Sequence, residues 1–377
     1  MELKKQTKII FWVAVFLVCG GAIFWMGRKS TPTNGQLSAE ASKPLNAASN
    51  QDDATRRAER DHDVVATAAA IDAPRQFLNM NVLERDEVIN EIMKQDLASI
   101  FRIWIEAGHI DHDLMKQSGV GAALAYAMRG RAPSSELIEQ MRAFIADRSN
   151  SAYERAQLLG NLGRSATKES LDLLIQASAT LTDEEMRQVA IGQIQSAGGY
   201  AQWEDGSFHE ELSPALERVW RESDDQNLLA SVGVALAKIG APSGIELLLS
   251  SALNERSLND LHVRISQDSL PEVLNPHAVP TLSAFLTSQP PTSAVSKLAS
   301  STLANMVDAT SAKALLNWLQ TTDDSGVPLA RESVLRTRSP AHLAVWESAL
   351  DQTVPFRSEK NREAIRAALA EYHQGRR

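Results

Sequence analysis

The 377-residue sequence has almost no cysteine. Its single cysteine, Cys19, lies inside an apolar N-terminal run, so the rest of the chain can form neither a disulfide nor a cysteine-based metal site. Aromatic residues are also scarce, at 5% of the chain, and the apolar share comes largely from alanine, leucine, isoleucine and valine. This composition is typical of packed helices.

The chain also lacks an excess of basic residues. Lysine and arginine total 38 against 47 acidic residues, which gives a formal net charge of −9. A general nucleic-acid-binding protein would show a basic excess on a domain. We therefore expect no nucleic-acid partner, and since no cofactor-binding motif is recognisable, we expect no cofactor.

One long run of residues, 9–26, has no charged side chain. As a helix it would be roughly 27 Å long, close to the hydrocarbon thickness of a bilayer. Trp12 and Trp25 lie near its two ends, where aromatic rings favour the membrane interface. Three lysines precede the run, and Arg28 and Lys29 follow it.

This run has three possible interpretations. A cleaved signal peptide would have a shorter apolar run followed by a small-x-small site. A lipoprotein signal would be processed at Cys19, but Val18 fits that cleavage position poorly and the run continues beyond it. The pattern favours a retained transmembrane anchor over 9–26.

The basic N-terminus predicts the topology. Residues 1–8 carry three lysines and are expected to stay in the cytoplasm. The remainder then lies outside the cytoplasm, so we expect a single-pass protein of a bacterial inner membrane with its C-terminal domain in the periplasm. Residues 27–75 are rich in small polar residues and poor in large apolar ones, which predicts a flexible linker.

A repeat pattern occupies much of the domain predicted for residues 76–377. Turn-forming residues recur at intervals of 33, 35, 42, 35, 33 and 30 residues. Such spacing is typical of helical repeat arrays. Six of these seven residues are Gly, Asn or Asp, which accept a left-handed backbone at a helix end. The seven predicted turn residues are Gly130, Gly163, Gly198, Gly240, Asn275, Asp308 and Arg338.

Other residues support this alignment. Proline follows several of the turns, near the expected start of the next helix. These prolines are Pro133, Pro242, Pro276 and Pro340. An apolar residue recurs seven or eight positions after most turns, at Leu137, Leu171, Leu247, Leu282, Leu315 and Val345.

The pattern resembles the HEAT and armadillo-like α-solenoids, whose repeats are helix pairs joined by a tight turn. Residues 233–249 match best, the resemblance covers roughly 118–355, and it is weakest at Arg338 and in the 42-residue interval. The resemblance implies an all-α fold, a right-handed α-solenoid of about seven helix-pair repeats. The amphipathic segment 358–373 is expected to form a terminal capping helix.

Two groups of residues raise the question of chemistry. Ser165 and Lys168 have the spacing of a serine nucleophile and a lysine base, but no Lys-Thr-Gly element accompanies them, which favours a structural turn. His109, Asp111, His112 and the neighbouring Asp113 are weak candidates for a metal site. The alternative is that Gly108 closes a helix and an aspartate caps the next one.

An insertion at 200–212 is the best candidate for a partner contact. It lengthens one repeat and carries four large side chains, Tyr200, Trp203, Phe208 and His209. Insertions in solenoids map to loops, and exposed aromatic residues make good anchors in an interface. The alternative is a loop that folds back onto its own repeat.

These features favour a non-enzymatic protein that binds another protein. We expect a membrane-tethered scaffold or assembly factor of an envelope or secretion system. A membrane-anchored foldase for a secreted client shares the same anchor, linker and helical layout and is a second possibility. A metal-dependent enzyme built on His109 and His112 is a third.

Overall fold

The computed structural model describes residues 90–110, 120–201, 210–253, 261–337, 339–350 and 355–375. Every regular element in these ranges is a helix, so the all-α prediction is confirmed. Within the same ranges no helix is both long enough and apolar enough to cross a bilayer. The predicted cytoplasmic segment 1–8, anchor 9–26 and linker 27–75 lie outside the described residues.

The α-helices of the described residues are numbered here in chain order. They are α1 (Leu97–Ile110), α2 (Val120–Met128), α3 (Ser135–Ala146), α4 (Ala152–Ser165), α5 (Lys168–Thr180), α6 (Glu184–Tyr200), α7 (Ser213–Glu222), α8 (Gln226–Ile239), α9 (Pro242–Ala252), α10 (Leu261–Ser269), α11 (Ala278–Ser288), α12 (Ala294–Asn305), α13 (Ala309–Thr321), α14 (Val327–Leu335), α15 (Pro340–Ser348) and α16 (Glu359–Gly375). Short 3₁₀ helices cover Glu210–Leu212, Leu270–Glu272 and Asp324–Gly326.

These helices pack in two layers that alternate along the chain. Consecutive even-numbered helices from α2 to α10 pack on each other. Helix α14 packs on both α12 and α16. The 3₁₀ helix Leu270–Glu272 bridges α10 and α12. The odd-numbered helices from α3 to α15 form the other layer, and the shared core lies between the two. The arrangement is repeat-like, with one helix of each layer per repeat.

The helix starts follow ordinary capping chemistry. Ser151 and Glu154 form a reciprocal capping box at the start of α4. Asp183 and Asp225 accept hydrogen bonds from backbone N–H groups in the first turns of α6 and α8. Pro340 is the first residue of α15, as the sequence pattern predicts.

Two of the predicted turn residues are confirmed as left-handed. Gly130 and Gly240 both have φ of +67°, a conformation that costs glycine little. The prediction is wrong for Gly163 and Gly198, because both lie inside helices, α4 and α6. The left-handed residue that ends α4 is Ala166, with φ of 48°.

The three remaining predicted turn residues have different positions in the structure. Asp308 is the N-cap of α13 and accepts from the backbone N–H groups of Thr310 and Ser311, so it starts a helix instead of ending one. Asn275 does lie in a turn, where its side-chain oxygen accepts from the His277 N–H at 2.9 Å. Arg338 lies outside the described residues.

Gly163 and Gly198 allow the even-numbered helices to approach closely. A Cβ at Gly198 would lie 2.5 Å from the Ala235 Cα and 2.8 Å from its carbonyl oxygen, both on α8. At Gly163 it would lie 2.8 Å from the Gln193 Oε1 and 2.9 Å from its backbone oxygen, on α6. The repeated glycines therefore reflect helix packing as well as turns.

The predicted core residues are buried. The helix-interior spacing of four tryptophans predicts that they belong to the core, and all four, Trp104, Trp220, Trp318 and Trp346, are buried there. The predicted apolar positions after the turns are also buried, apart from the half-buried Leu247. The terminal helix α16 packs on α14 through a face that contains Ile365 and Leu369, which agrees with the predicted capping segment.

Candidate functional site

Large apolar side chains that are exposed occur on one edge of the described array. They are Tyr126, Tyr200, Leu274 and Val307, with exposed fractions of 52%, 37%, 43% and 53%. Each lies at the C-terminal end of an even-numbered helix or in the turn that follows it. We call these ends and turns the turn edge, which comprises residues 126–134, 165–167, 200–201, 239–241, 273–277, 306–308, 336–337 and 339.

Hydrogen bonds between successive repeats hold the turn edge together. The Gly130 N–H donates to the Ser165 carbonyl at 3.0 Å. Further along, the Asn275 Nδ2 donates to the Ile239 carbonyl at 2.7 Å. The Ser339 hydroxyl donates to the Val307 carbonyl, also at 2.7 Å. These bonds link each of these turns to the turn of the next repeat, so Tyr126, Leu274 and Val307 lie at or beside turns whose backbone is held in place.

The insertion joins this edge. Tyr200, the last residue of α6, is exposed there, whereas Trp203, Phe208 and His209 lie outside the described residues. Where the chain is described again, the Glu210 carboxylate accepts a hydrogen bond from the Asn275 amide at 3.3 Å and lies 2.8 Å from the His277 Nδ1.

The Glu210 contacts span more than one repeat. The Gly240 turn lies between Glu210 and Asn275 in the chain, and a Cβ at Gly240 would lie 2.5 Å from the Asn275 Cβ. Glu210, at the C-terminal end of the insertion, therefore contacts the turn that contains Asn275 and His277, in the repeat after the Gly240 turn. Residues 202–209 lie outside the described residues, so the alternative, a loop that folds back onto its own repeat, stays a prediction.

Ser165 and Lys168 form no catalytic arrangement. The Ser165 hydroxyl is fully buried and donates to the Leu162 carbonyl at 3.0 Å, so no substrate can reach it. Lys168 is exposed and pairs with Asp172 at 2.6 Å. Both residues have structural partners at the junction of α4 and α5.

Most side chains of the predicted metal cluster are not described by the structure. Asp111, His112 and Asp113 lie outside the described residues, as does the side chain of His109. Helix α1 continues through Gly108 to Ile110, so Gly108 does not close it. Among the side chains that are described, no group of three or more His, Cys, Asp or Glu residues is placed to hold a metal ion.

A serine–histidine pair that sequence reasoning missed joins α13 and α15. The Ser311 hydroxyl lies 2.7 Å from the His342 Nε2 and donates to the Asp308 carbonyl at 2.8 Å, so the histidine nitrogen is the donor between them. Both side chains are fully buried. Burial lowers the pKa of His342, which keeps the imidazole neutral. The pair links two helices of the odd layer and is inaccessible to a substrate.

Leu274, Val307 and Tyr126 were also missed by sequence reasoning. Leu274 and Val307 directly precede the predicted turn residues Asn275 and Asp308, a position where an apolar residue is expected to be the last core contact of a helix. Only the exposed fractions show that they face solvent. The recurrence of an apolar residue just before a turn was the available signal.

Comparison with known proteins leaves the family open. No protein-family model and no curated protein sequence matches the chain. Among solved structures, human deoxyhypusine hydroxylase in complex with glycerol shares 14% identity over 78% of this chain and 98% of its own, with a TM-score of 0.24. Two engineered proteins share 15% identity each. One covers 63% of this chain and 97% of its own at a TM-score of 0.24, and the other 86% and 96% at 0.29. At these TM-scores the likenesses carry no argument.

Proposed function

We propose that this chain is a membrane-tethered, extracytoplasmic scaffold or assembly factor that binds another protein through its turn edge. It would serve an envelope or secretion system from a bacterial inner membrane, anchored by residues 9–26 and extended from the bilayer by the linker 27–75. The observation that carries the proposal is the location of all four exposed large apolar side chains of the described residues on one edge.

The chemistry of the turn edge supports protein binding. Tyrosines are among the residues that supply most of the binding free energy in protein interfaces, and Tyr126 and Tyr200 are exposed here. The aliphatic Leu274 and Val307 add apolar area that a partner can bury. The bonds between turns fix the Leu274 and Val307 backbones before a partner arrives, which lowers the entropic cost of association.

The proposed architecture is a right-handed α-solenoid of about seven helix-pair repeats. The alternation of two helix layers and the packing of each layer on its own neighbours support this fold. A solenoid presents long edges and faces, and its turns recur at a regular spacing of about 8–10 Å between neighbouring helices. Such spacing suits a partner that contacts several repeats at once.

The proposed role is non-enzymatic. The two serine-based arrangements that resemble catalytic pairs, Ser165 with Lys168 and Ser311 with His342, have their hydroxyl groups buried and engaged with backbone carbonyls. Neither serine can reach a substrate. These features favour a binding protein over a hydrolase.

Site-specific photocrosslinking tests the proposal. A benzophenone amino acid would replace Leu274 or Val307 in the full chain, expressed in its own host. We expect both positions to yield adducts with the same protein, identified by mass spectrometry, because they lie in successive turns of one edge. The double variant L274D/V307D should abolish the adduct that the same probe forms at Tyr200, since it removes two neighbouring anchors.

The matched control lies at the opposite edge. Thr321 is exposed at the C-terminal end of the odd-numbered helix α13, and the probe placed there should give no adduct with that protein. Equal labelling from Thr321 and Val307, or no shared adduct from Leu274 and Val307, would contradict the proposed interface.

A further inference from the structure

Helices α5 and α7 are neighbours in the odd-numbered layer, but they do not pack on each other as the other neighbours in this layer do. In the odd-numbered layer of the described residues, α3 packs on α5, and each helix from α7 to α15 packs on the next, but α5 and α7 lack such packing. In the other layer α6 and α8 remain in close contact. One layer is therefore continuous at this point while the other is open.

The insertion explains the opening. Residues 201–212 connect α6 to α7, whereas only residues 240–241 connect α8 to α9. The 3₁₀ helix Glu210–Leu212, at the end of this longer connection, packs on α5 in the place that the next odd-numbered helix takes elsewhere. The same 3₁₀ helix also packs on α7, and a groove lies between α5 and α7.

The groove has a volume of about 380 Å³. Its α5 wall consists of Lys168, Asp172, Ile175 and Gln176, which share one helix face, and its α7 wall includes Ala215 and Arg218. From Lys168 to Gln176 the helix rises about 12 Å. An extended chain advances about 3.3 Å per residue, so the groove is long enough for three to four residues.

The charges in the groove leave one cation free. Lys168 pairs with Asp172 at 2.6 Å. Arg218 is exposed and forms no ion pair with any residue that the structure describes. Two cations and one carboxylate give the groove a net charge of +1, although the whole chain carries −9. A ligand that complements the groove therefore carries negative charge.

We propose that this groove binds a short acidic linear segment of a partner protein. One apolar side chain of the segment would rest on Ile175 and Ala215, and a neighbouring carboxylate would pair with Arg218. Guanidinium groups bind carboxylates through two parallel hydrogen bonds, which gives both affinity and orientation. This contact is independent of the turn edge, so it would add a second site for a protein partner.

Fluorescence anisotropy of labelled peptides tests this inference. The full chain in detergent would be titrated with a hexapeptide of alternating glutamate and leucine, and separately with its lysine–leucine counterpart. We expect the acidic peptide to bind at least tenfold more tightly than the basic one. R218E should weaken the acidic peptide at least tenfold and R218Q about fivefold, because Arg218 is exposed and its replacement leaves the fold intact.

R366E provides the matched control. Arg366 is exposed on α16 and likewise forms no ion pair in the described residues, so R366E changes the net charge by the same amount. It should alter the affinity less than twofold. Equal weakening by R366E and R218E, or equal binding of the two peptides, would overturn the proposal.

Crosslinking gives a second and independent measurement. A benzophenone derivative of the acidic peptide should attach within residues 168–176 or 214–218, and tryptic mapping would locate the adduct. Attachment confined to other segments would overturn the groove as the binding site, whatever the anisotropy shows.

Discussion

The two halves of the described array join their repeats with different chemistry. In the N-terminal half, ion pairs connect successive even-numbered helices. Arg155 on α4 pairs with Asp183, the N-cap of α6, at 2.9 Å, and Arg187 on α6 pairs with Asp225, the N-cap of α8, at 3.0 Å. The Arg155 side chain is only 4% exposed and also donates to the Ile145 carbonyl at 2.7 Å.

In the C-terminal half, an exposed ion pair joins α14 to α16, between Arg331 and Glu371 at 2.7 Å, and buried neutral groups supply further links between helices. The Asn361 amide on α16 donates to the Thr322 hydroxyl at 2.9 Å and to the Leu319 carbonyl at 3.1 Å. His342 and Ser311 make the equivalent link between α15 and α13. Residues 278–307 carry a single charged side chain, Lys297.

Repeats of similar length can therefore be joined by contacts of different chemistry. An aspartate N-cap already faces the next helix, so one arginine can satisfy it and connect the repeats. A buried amide or imidazole connects two helices without a charge, and the imidazole does so only while it stays neutral. The two halves should therefore respond differently to packing changes and to pH.

The largest effect is expected when the close contact of the N-terminal half is broken. In G198A the new methyl group would lie 2.5 Å from the Ala235 Cα, so α6 and α8 must separate. Because the obstacle is backbone, we expect a loss of about 3 kcal/mol in the free energy of unfolding. Urea denaturation followed by circular dichroism would measure it, and an unchanged midpoint would contradict the assigned contact.

Acidification should affect the C-terminal half first. Burial lowers the pKa of His342 below the usual histidine value of 6.5, and the weaker attraction of Asp308 opposes this. A proton therefore binds the unfolded state better, so stability is complete above pH 6.5 and falls as the pH drops below that value.

The N-terminal half should respond only at lower pH. The hydrogen bond from Arg155 holds the pKa of Asp183 below 3.8, and the Leu228 N–H does the same for Asp225. Their contribution is present above about pH 4 and is lost as the pH falls through the lowered values. Acid therefore weakens the two halves in sequence.

Hydrogen exchange at pH 7.5 and pH 5.0, corrected for intrinsic rates, would test this order. Peptides from α13 and α15 should lose protection at pH 5.0, whereas those from α4 to α8 should not. H342Q keeps a donor for Ser311 but does not titrate, so it should remove the difference. A uniform loss of protection along the chain, or an unaltered response in H342Q, would show that His342 is not responsible.

Much of the fold could be predicted from the sequence because its signals were local. The prolines that start α9 and α15, the buried tryptophans and the terminal helix all agree with the structure. Gly163 and Gly198 were misassigned because glycine serves both left-handed turns and close helix contacts, and spacing alone does not separate the two uses. Ala166 could not be found, since alanine rarely adopts a positive φ.

The site was less predictable because it depends on contacts between distant residues. Tyr200 was found through the aromatic residues of the insertion, and it lies on the turn edge. Leu274 and Val307 look like core residues in the sequence. The groove between α5 and α7 depends on a missing helix contact, which no local pattern reports.

The smallest expected effect comes from a second glycine of α6. Gly192 is exposed, and a Cβ built there would meet no atom within 4 Å. Alanine is favoured over glycine in a helix interior by about 0.5–1 kcal/mol, so G192A should raise the free energy of unfolding by that amount. The same denaturation experiment would measure it beside G198A, on the same helix and with the same added methyl group. If G192A destabilised the protein as much as G198A, the loss in G198A would reflect helix α6 itself and not its contact with Ala235.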